Sequence, residues 1–480
     1  MDSKKISTGN TNLDSILHGG LLRQKSYLIK GGPGTGKSTL GYLFLEKGIS
    51  EGEKTMLITL GESAESIRAN AGRQGINLAK TIIVDMSPDS QELESEGNYS
   101  VFSPLEVEAK PVIDKVTEEI EKHKPKRVVL DSLTMLKYLY ENAFQYKNMA
   151  LSFIKHICSS GATLCMISEV HSEKSDDEAE FWVDGVLEVT NSSDWRRIRV
   201  QKFRGSGFHG GYHAMKIDGS GISVFPRLQP NEYNRVFSST PFSSGIEGLD
   251  SMLGGGIEKG TISMFTGPTG AGKTNLGIQF MMQASQRGER SVIYTFEESA
   301  EVIIKRSKII GVPIDEMIEE GKLTIKSIEP FSFSPDEFSM MVRQDIEDNG
   351  TEIVMIDSVG GYSLSVRQED PLERLHSLCI YLGNVGVTCF LMSETSNITG
   401  EFITTNLHAS YLADNIIFLR YIEVESELKK SIGILKKRMS DFEKSIREFK
   451  ITSEGIKLGE QLKNLQGILS GSPQIITKSQ

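Results

Sequence analysis

Short apolar runs recur along the chain, separated by longer stretches in which apolar residues return every three or four positions. Ser26–Lys30, Thr55–Leu60, Thr81–Asp85, Arg127–Asp131, Thr163–Ser168, Gly185–Thr190 and Arg196–Phe203 read as strands. Helical spacing appears over Leu40–Lys47, near Val112–Lys122 and over Lys147–Ser159. Alternation of this kind predicts an α/β fold, a mostly parallel sheet flanked by helices. The second half repeats the pattern, with strands expected at Thr261–Thr266, Ser291–Phe296, Leu323–Ser327, Ile353–Asp357, Thr388–Ser393 and Asn415–Leu419.

The repetition extends to motifs. Lys37 and Lys273 lie 236 positions apart, and so do Asp14 and Asp250, which close the segments Ser7–Asp14 and Ser243–Asp250. A duplicated unit therefore accounts for the whole chain. The two prolines of the polar segment Pro226–Asn231 separate the copies, giving expected domains of 1–229 and 230–480. The acidic stretches Ser87–Gly97 and Ser172–Glu180 read as solvated loops.

A net charge of −11 over 480 residues argues against wrapping of nucleic acid, and no nucleic-acid partner is expected. Cys158, Cys165, Cys379 and Cys389 have apolar neighbours and no C-x-x-C spacing, which suits buried thiols rather than a metal or disulfide role. The polar start of the chain and the lack of a long apolar run predict a cytoplasmic protein without membrane contact.

Two segments fit G-x-x-x-x-G-K-[S/T] in full: Gly31 to Ser38, which includes Gly34, Thr35, Gly36 and Lys37 and is followed by Thr39, and Gly267 to Thr274, which includes Thr269, Gly270, Ala271, Gly272 and Lys273. Such loops aim backbone N–H groups at phosphate oxygens, the lysine reaches the terminal phosphates, and the last hydroxyl, Ser38 or Thr274, ligates Mg²⁺. ATP and Mg²⁺ are the cofactors implied. Asp131 and Asp357 end apolar strands and are the expected metal-orienting carboxylates. Glu297 and Glu298 follow another strand, where a carboxylate can take a proton, whereas the matching positions of the first half are Gly61 and Glu62. Late in each half, Lys202 with Arg204 and Lys436 with Arg438 form a Lys-x-Arg pair on an extended segment, suited to reaching a neighbour's phosphates.

These motifs occur twice in register, and in them the chain resembles the KaiC family of circadian-clock-type protein kinases and ATPases over essentially its whole length. The resemblance implies two RecA-like domains, a double ring of six subunits with ATP between neighbours, slow hydrolysis in the first domain and autophosphorylation in the second. It places Lys37, Lys273, Glu62, Glu297 and Glu298 in catalysis, with Glu297 as the base and an added metal contact. It places the phosphoacceptor at Ser410, with Thr405 as a second site; Tyr411 stands where clock members carry a threonine. A KaiB-like protein or a downstream signalling protein is the implied partner. Few residues follow Gly471-Ser472-Pro473, so a KaiA-type tail is not expected. A RecA-like DNA recombinase or helicase and a nucleotide-gated signalling scaffold remain as alternatives.

Overall fold

The computed structural model describes residues 4–87, 106–138, 140, 142–170, 178–192, 195–219, 221–329, 332–364, 371–395, 409–424, 426–463, 465–466 and 474–475. Two compact units divide at Arg227 and Leu228. In the first, the sheet strands are β1 (Ser26–Gly31), β2 (Thr55–Thr59), β3 (Ile82–Asp85), β4 (Arg127–Asp131), β5 (Thr163–Glu169), β6 (Gly185–Ser192), β7 (Trp195–Phe203), β8 (His213–Asp218) and β9 (Gly221–Phe225). In the second they are β10 (Ile262–Gly267), β11 (Arg290–Thr295), β12 (Leu323–Ser327), β13 (Thr351–Asp357), β14 (Thr388–Glu394), β15 (Asn415–Val424), β16 (Glu427–Lys437), β17 (Arg447–Thr452) and β18 (Gly455–Gln461).

Both sheets have the same order, β3-β2-β4-β5-β1-β6-β7-β8-β9 and β12-β11-β13-β14-β10-β15-β16-β17-β18. The first six strands in each order run parallel and the last three continue as an antiparallel meander. Chains of alternating strand and helix give this arrangement because each parallel connection must cross a sheet face. Consecutive residues of β4 enter opposite cores: Val129 packs with Ile29 and Leu57, while Val128 and Leu130 pack with Met56 and Ile58. β13 does the same with Met355 on one face and Val354 and Ile356 on the other.

The meanders differ from the sequence expectation, which ended each sheet early. β8, β17 and β18 are short and only partly buried, and β9, though largely buried, is only five residues long, so they lack the continuous apolar runs of the parallel strands. Several bounds also move: the helix expected near Val112–Lys122 spans Glu106–His123, the one at Lys147–Ser159 begins at Ala143, and β15 extends to Val424. Of the two acidic loops, 88–97 and 172–177 lie outside the described residues.

The repeated Asp14 and Asp250 are structural. Asp14 Oδ1 accepts from Thr8 N at 2.7 Å and Thr8 Oγ1 at 2.7 Å, and Asp250 Oδ1 accepts from Ser244 N at 2.7 Å and Ser244 Oγ at 2.8 Å. Arg127, fully buried at the start of β4, adds a second fastening in the first unit. Its guanidinium donates to Glu53 at 2.6 Å, to Glu51 at 2.5 Å and to the carbonyls of Ser7 at 2.7 Å and Phe44 at 2.9 Å. Burial acts upward on Glu53, but hydrogen bonds from Arg127 and Arg23 outweigh it and hold this carboxyl below the ordinary glutamate range. Its contribution to stability is therefore full above that range and fades as pH falls through the lowered value. Arg127→Ala should destabilise the first unit by about 3–5 kcal/mol, the cost of breaking a buried ion pair. Thermal unfolding of the two proteins checks this, and an unchanged transition would refute it.

Candidate functional site

Each phosphate loop leaves the C-terminal end of a central strand, β1 or β10, and runs into a 14-residue helix, Lys37–Ser50 or Lys273–Gln286. The turn requires glycine: Gly36 has φ +101° and Gly272 φ +108°, and a Cβ at either would meet Ile217 Cδ1 or Ile451 Cδ1 at 2.5 Å. This geometry exposes the first N–H groups of the helix to the mouth of the loop, where anions bind.

The lysines are buried and turned into the loops. Lys37 Nζ donates to Gly32 O at 2.7 Å, and Lys273 Nζ to Gly267 O at 2.9 Å and Pro268 O at 3.0 Å. Burial holds both ammonium groups below the ordinary lysine value. Thr35 Oγ1 braces the first loop through Gly32 O at 2.9 Å, and Thr269 Oγ1 braces the second through Glu394 at 2.9 Å.

The helices that follow Asp131 and Asp357 are capped by the next residues, Ser132 and Ser358, whose hydroxyls accept from Met135 N and Gly361 N. Asp131 Oδ2 accepts from Ser38 Oγ at 2.7 Å and Asp357 Oδ2 from Thr274 Oγ1 at 2.6 Å. Burial pushes both carboxyls up, against the hydroxyl hydrogen bonds. A hydroxyl beside a carboxylate next to a phosphate cradle suits Mg²⁺, a hard ion held by few protein oxygens together with phosphates and water. Among the described residues no group of three or more His, Cys, Asp or Glu forms a separate metal cage.

The glutamates differ between the units. Glu297 accepts a short hydrogen bond from Ser358 Oγ, which fixes one carboxylate oxygen at the end of β11. Glu298 Oε1 pairs with Arg306 Nη1 at 2.8 Å. In the first unit Gly61 has no carboxylate, and Glu62 Oε2 accepts from Asn70 Nδ2 at 3.2 Å. In the second unit these groups line one cleft of about 390 Å³ with Gly270, Gly272, Lys273, Thr274, Asp357 and Lys430.

Two cations in this neighbourhood escaped the motifs. Lys430 Nζ donates to Gly270 O at 2.9 Å from β16, and Arg196 Nε to Gly34 O at 3.4 Å from β7. Each lies six residues before a Lys-x-Arg pair, and that recurrence was the available signal.

The Lys-x-Arg pairs are not at their own unit's loop. Lys436 pairs in register with Ile416 at the beginning of β15, whose Asn415 lies beside Ser263 at the beginning of β10. The loop leaves β10 at its other end, and a six-residue strand spans about 20 Å. Both members of each pair turn to one wall: Lys436 Nζ donates to Ala413 O at 2.6 Å and Ser410 O at 3.3 Å, and Arg438 meets Asp414 at 3.1 Å. Lys202 likewise donates to Val183 O at 2.6 Å, with Arg204 Nη2 3.5 Å from Phe181 O. Burial and then the adjacent arginine push Lys202 and Lys436 below the ordinary lysine value. Ser410 is half-buried in the turn Ala409–Tyr411 on the same wall. Thr405 and the Gly471–Pro473 segment lie outside the described residues.

The comparisons with known proteins cover nearly the whole chain. A family model described as "ATPase: KaiC" matches residues 6–229 and again 242–463. Over 489 residues the chain is 29% identical to the circadian clock oscillator protein KaiC of Thermostichus vulcanus, covering 99% of this chain and 92% of that protein. The protein of the same name from Synechococcus elongatus is 29% identical over 488 residues, covering 98% and 92%. That from Prochlorococcus marinus (strain SARG) is 29% identical over 492 residues, covering 99% and 96%.

Proposed function

The chain belongs to the KaiC ATPase family, and from that premise we propose a nucleotide-dependent ring of six copies in which each unit binds ATP and the second also phosphorylates Ser410. The observation that carries this reading is the placement of Lys436, Arg438 and Ser410 at the sheet end opposite their own phosphate loop. A second copy brings the two ends together. Such head-to-tail contacts close into a ring when the rotation permits.

At the shared site, Lys273 and the loop N–H groups hold the ATP phosphates, while Thr274 and Asp357 are the residues that would hold magnesium. Magnesium, when bound, neutralises charge on the terminal phosphates. Ser410 Oγ of the adjacent copy attacks the γ-phosphorus, the bond to the β–γ bridging oxygen breaks, and ADP leaves. Glu297 takes the serine proton, and Lys436 and Arg438 offset the charge that develops on the phosphoryl oxygens. Where water replaces the serine, the same arrangement hydrolyses ATP. In the first unit Lys37, Ser38 and Asp131 hold the nucleotide, Lys202 and Arg204 complete the neighbour's site, and Glu62 alone is left to orient water.

Light scattering with ATP, with ADP and without nucleotide tests the assembly. Six copies are expected with ATP and smaller species without nucleotide. A monomer in all three conditions would remove the basis for completion of the site by a neighbour.

A further inference from the structure

One ammonium site recurs in both units, but a different lysine fills it in each. In the first unit Lys5 belongs to the ribbon formed by Lys5–Ile6 and Leu21–Leu22, and its Nζ donates to Leu17 O at 2.9 Å, His18 O at 2.8 Å and Ser206 Oγ at 2.9 Å. In the second, Pro241 stands in the place of Lys5, paired with Glu258 as Lys5 is with Leu22, and the ammonium comes from Lys437 at the end of β16. Lys437 Nζ donates to Leu253 O and to Ser440 Oγ at 2.6 Å, and it meets Glu258 Oε1 at 2.9 Å. The acceptors correspond: Leu17 and Leu253 each close the short helix before them, and Ser206 and Ser440 each stand two residues after the arginine of a Lys-x-Arg pair. An ammonium has three N–H donors, and both lysines place all of theirs.

We infer that this ammonium is the positioning group of each Lys-x-Arg pair, Lys5 for Lys202 and Arg204 and Lys437 for Lys436 and Arg438. The inference rests on the pair serving the ATP site of a neighbouring copy. Alternation along an extended strand turns Lys437 away from Lys436 and Arg438, so its side chain is fully buried while that of Arg438 stays about half-exposed and free to meet a neighbour. From there it ties the segment just past the arginine to the end of the short helix, and the main chain repeats the tie a little further on: His209 N donates to Ile16 O at 2.8 Å and Glu443 N to Met252 O at 2.9 Å. Where Lys5 supplies the charge, the positions of Lys437 and Glu258 are taken by Phe203 and Leu22, and the ammonium lies 5.9 Å from the centre of the Phe203 ring. Two unrelated placements of one charge on the same acceptors point to the acceptors, and the segment they belong to, as what the charge is for.

The test gives the second unit the residues of the first, in the full-length protein with Glu62→Gln throughout so that ATP turnover reports the second unit. Lys437→Phe with Glu258→Leu removes the ammonium and its counter-charge together, an exchange of a buried pair for apolar residues that folded proteins tolerate. Turnover should fall about 10- to 100-fold, the scale of a misplacement near 1 Å, with KM for ATP little changed because the phosphate loop is intact. Adding Pro241→Lys returns the charge from the other strand and should bring turnover back to within about threefold of the parent. Mixing separates positioning from general damage. Combined in equal amounts with Lys273→Ala, the double variant should regain about a quarter of the parent activity, as a defect confined to the side offered to a neighbour requires; combined with Arg438→Ala, which is defective on that same side, it should regain none. Should the double variant fail to fold by circular dichroism, Ser440→Ala, which removes one acceptor and keeps the ion pair, takes its place in the mixtures with the same outcomes expected. Full activity of the substituted protein alone, or no gain with Lys273→Ala where Arg438→Ala does gain, would overturn the inference and leave the shared site standing. No gain from Lys273→Ala mixed with Arg438→Ala would overturn both.

Discussion

Glu297→Gln should leave Ser410 unphosphorylated, slowing transfer by about 10²–10⁴-fold, the range a positioned general base supplies. The substitution keeps the size of the side chain and an acceptor for the Ser358 hydroxyl, so the end of β11 should keep its shape. Only the ability to take a proton is lost. Glu298 lies one residue away and is paired with Arg306 at 2.8 Å. Mass spectrometry after incubation with ATP should find phosphate on Ser410 in the wild type and none there in Glu297→Gln or Ser410→Ala. Phosphate that persists on Ser410 in Glu297→Gln, or that is found solely on Tyr411, would defeat this assignment. Tyr411 is about half-exposed and its ring packs edge-on against His376, 5.6 Å between centroids, so its hydroxyl is not expected to substitute for the serine.

The second large effect separates the two units. Lys273→Ala should remove most ATP turnover, about tenfold or more, because the site that keeps both Glu297 and Glu298 then loses its hold on the terminal phosphates. Lys37→Ala should instead chiefly reduce assembly, since the first unit, with Glu62 alone, is expected to turn over slowly. A gain-of-function change sharpens the contrast. A Cβ at Gly61 would have no atom within 4 Å, so Gly61→Glu fits without strain. In a Lys273→Ala background it should raise the residual hydrolysis. Phosphate-release assays combined with light scattering check all three, and an intact ring with little remaining ATPase in Lys37→Ala would reverse the division.

The parallel half of each sheet was legible because strands covered on both faces are apolar on nearly every residue, as in Arg127–Asp131 and Ile353–Asp357. The phosphate loops were legible for another reason: Gly36 and Gly272 occupy backbone conformations that side chains rarely adopt, which confines the sequence there to a narrow pattern. Of the meanders, Trp195–Phe203 was legible, but the strands beyond it in the first unit and those after Asn415–Val424 in the second were not. Only one residue in each of Arg447–Thr452 and Gly455–Gln461 is buried, Phe449 and Ile456, and charged residues interrupt the apolar positions.

Within the cleft, local spacing pointed to the loop residues and the carboxylates after the strands, while the residues brought there by packing across the sheet gave no such signal. Lys430 reaches the loop from a strand about 160 residues later, and a lysine on a half-exposed strand has an ordinary solvated reading. Arg306 is one of several charged residues on its helix, and nothing in the sequence separates it from Lys305 or Lys308 until the turn of the helix carries it to Glu298. The repeat still held a clue, since Asn70 stands at the equivalent position of the first unit.

Completion of each ATP site by a second copy is tested most directly by mixing two defective proteins. Lys273→Ala lacks its own phosphate grip but keeps Lys436 and Arg438, while Arg438→Ala keeps the grip and lacks the cation supplied to its neighbour. Each alone should be nearly inactive in the second unit. Co-assembled in equal amounts, they should regain about a quarter of wild-type activity, because one interface in four then joins an intact loop to an intact pair in a head-to-tail ring. Activity that does not rise on mixing, or an Arg438→Ala protein as active alone as the wild type, would contradict a site shared between copies.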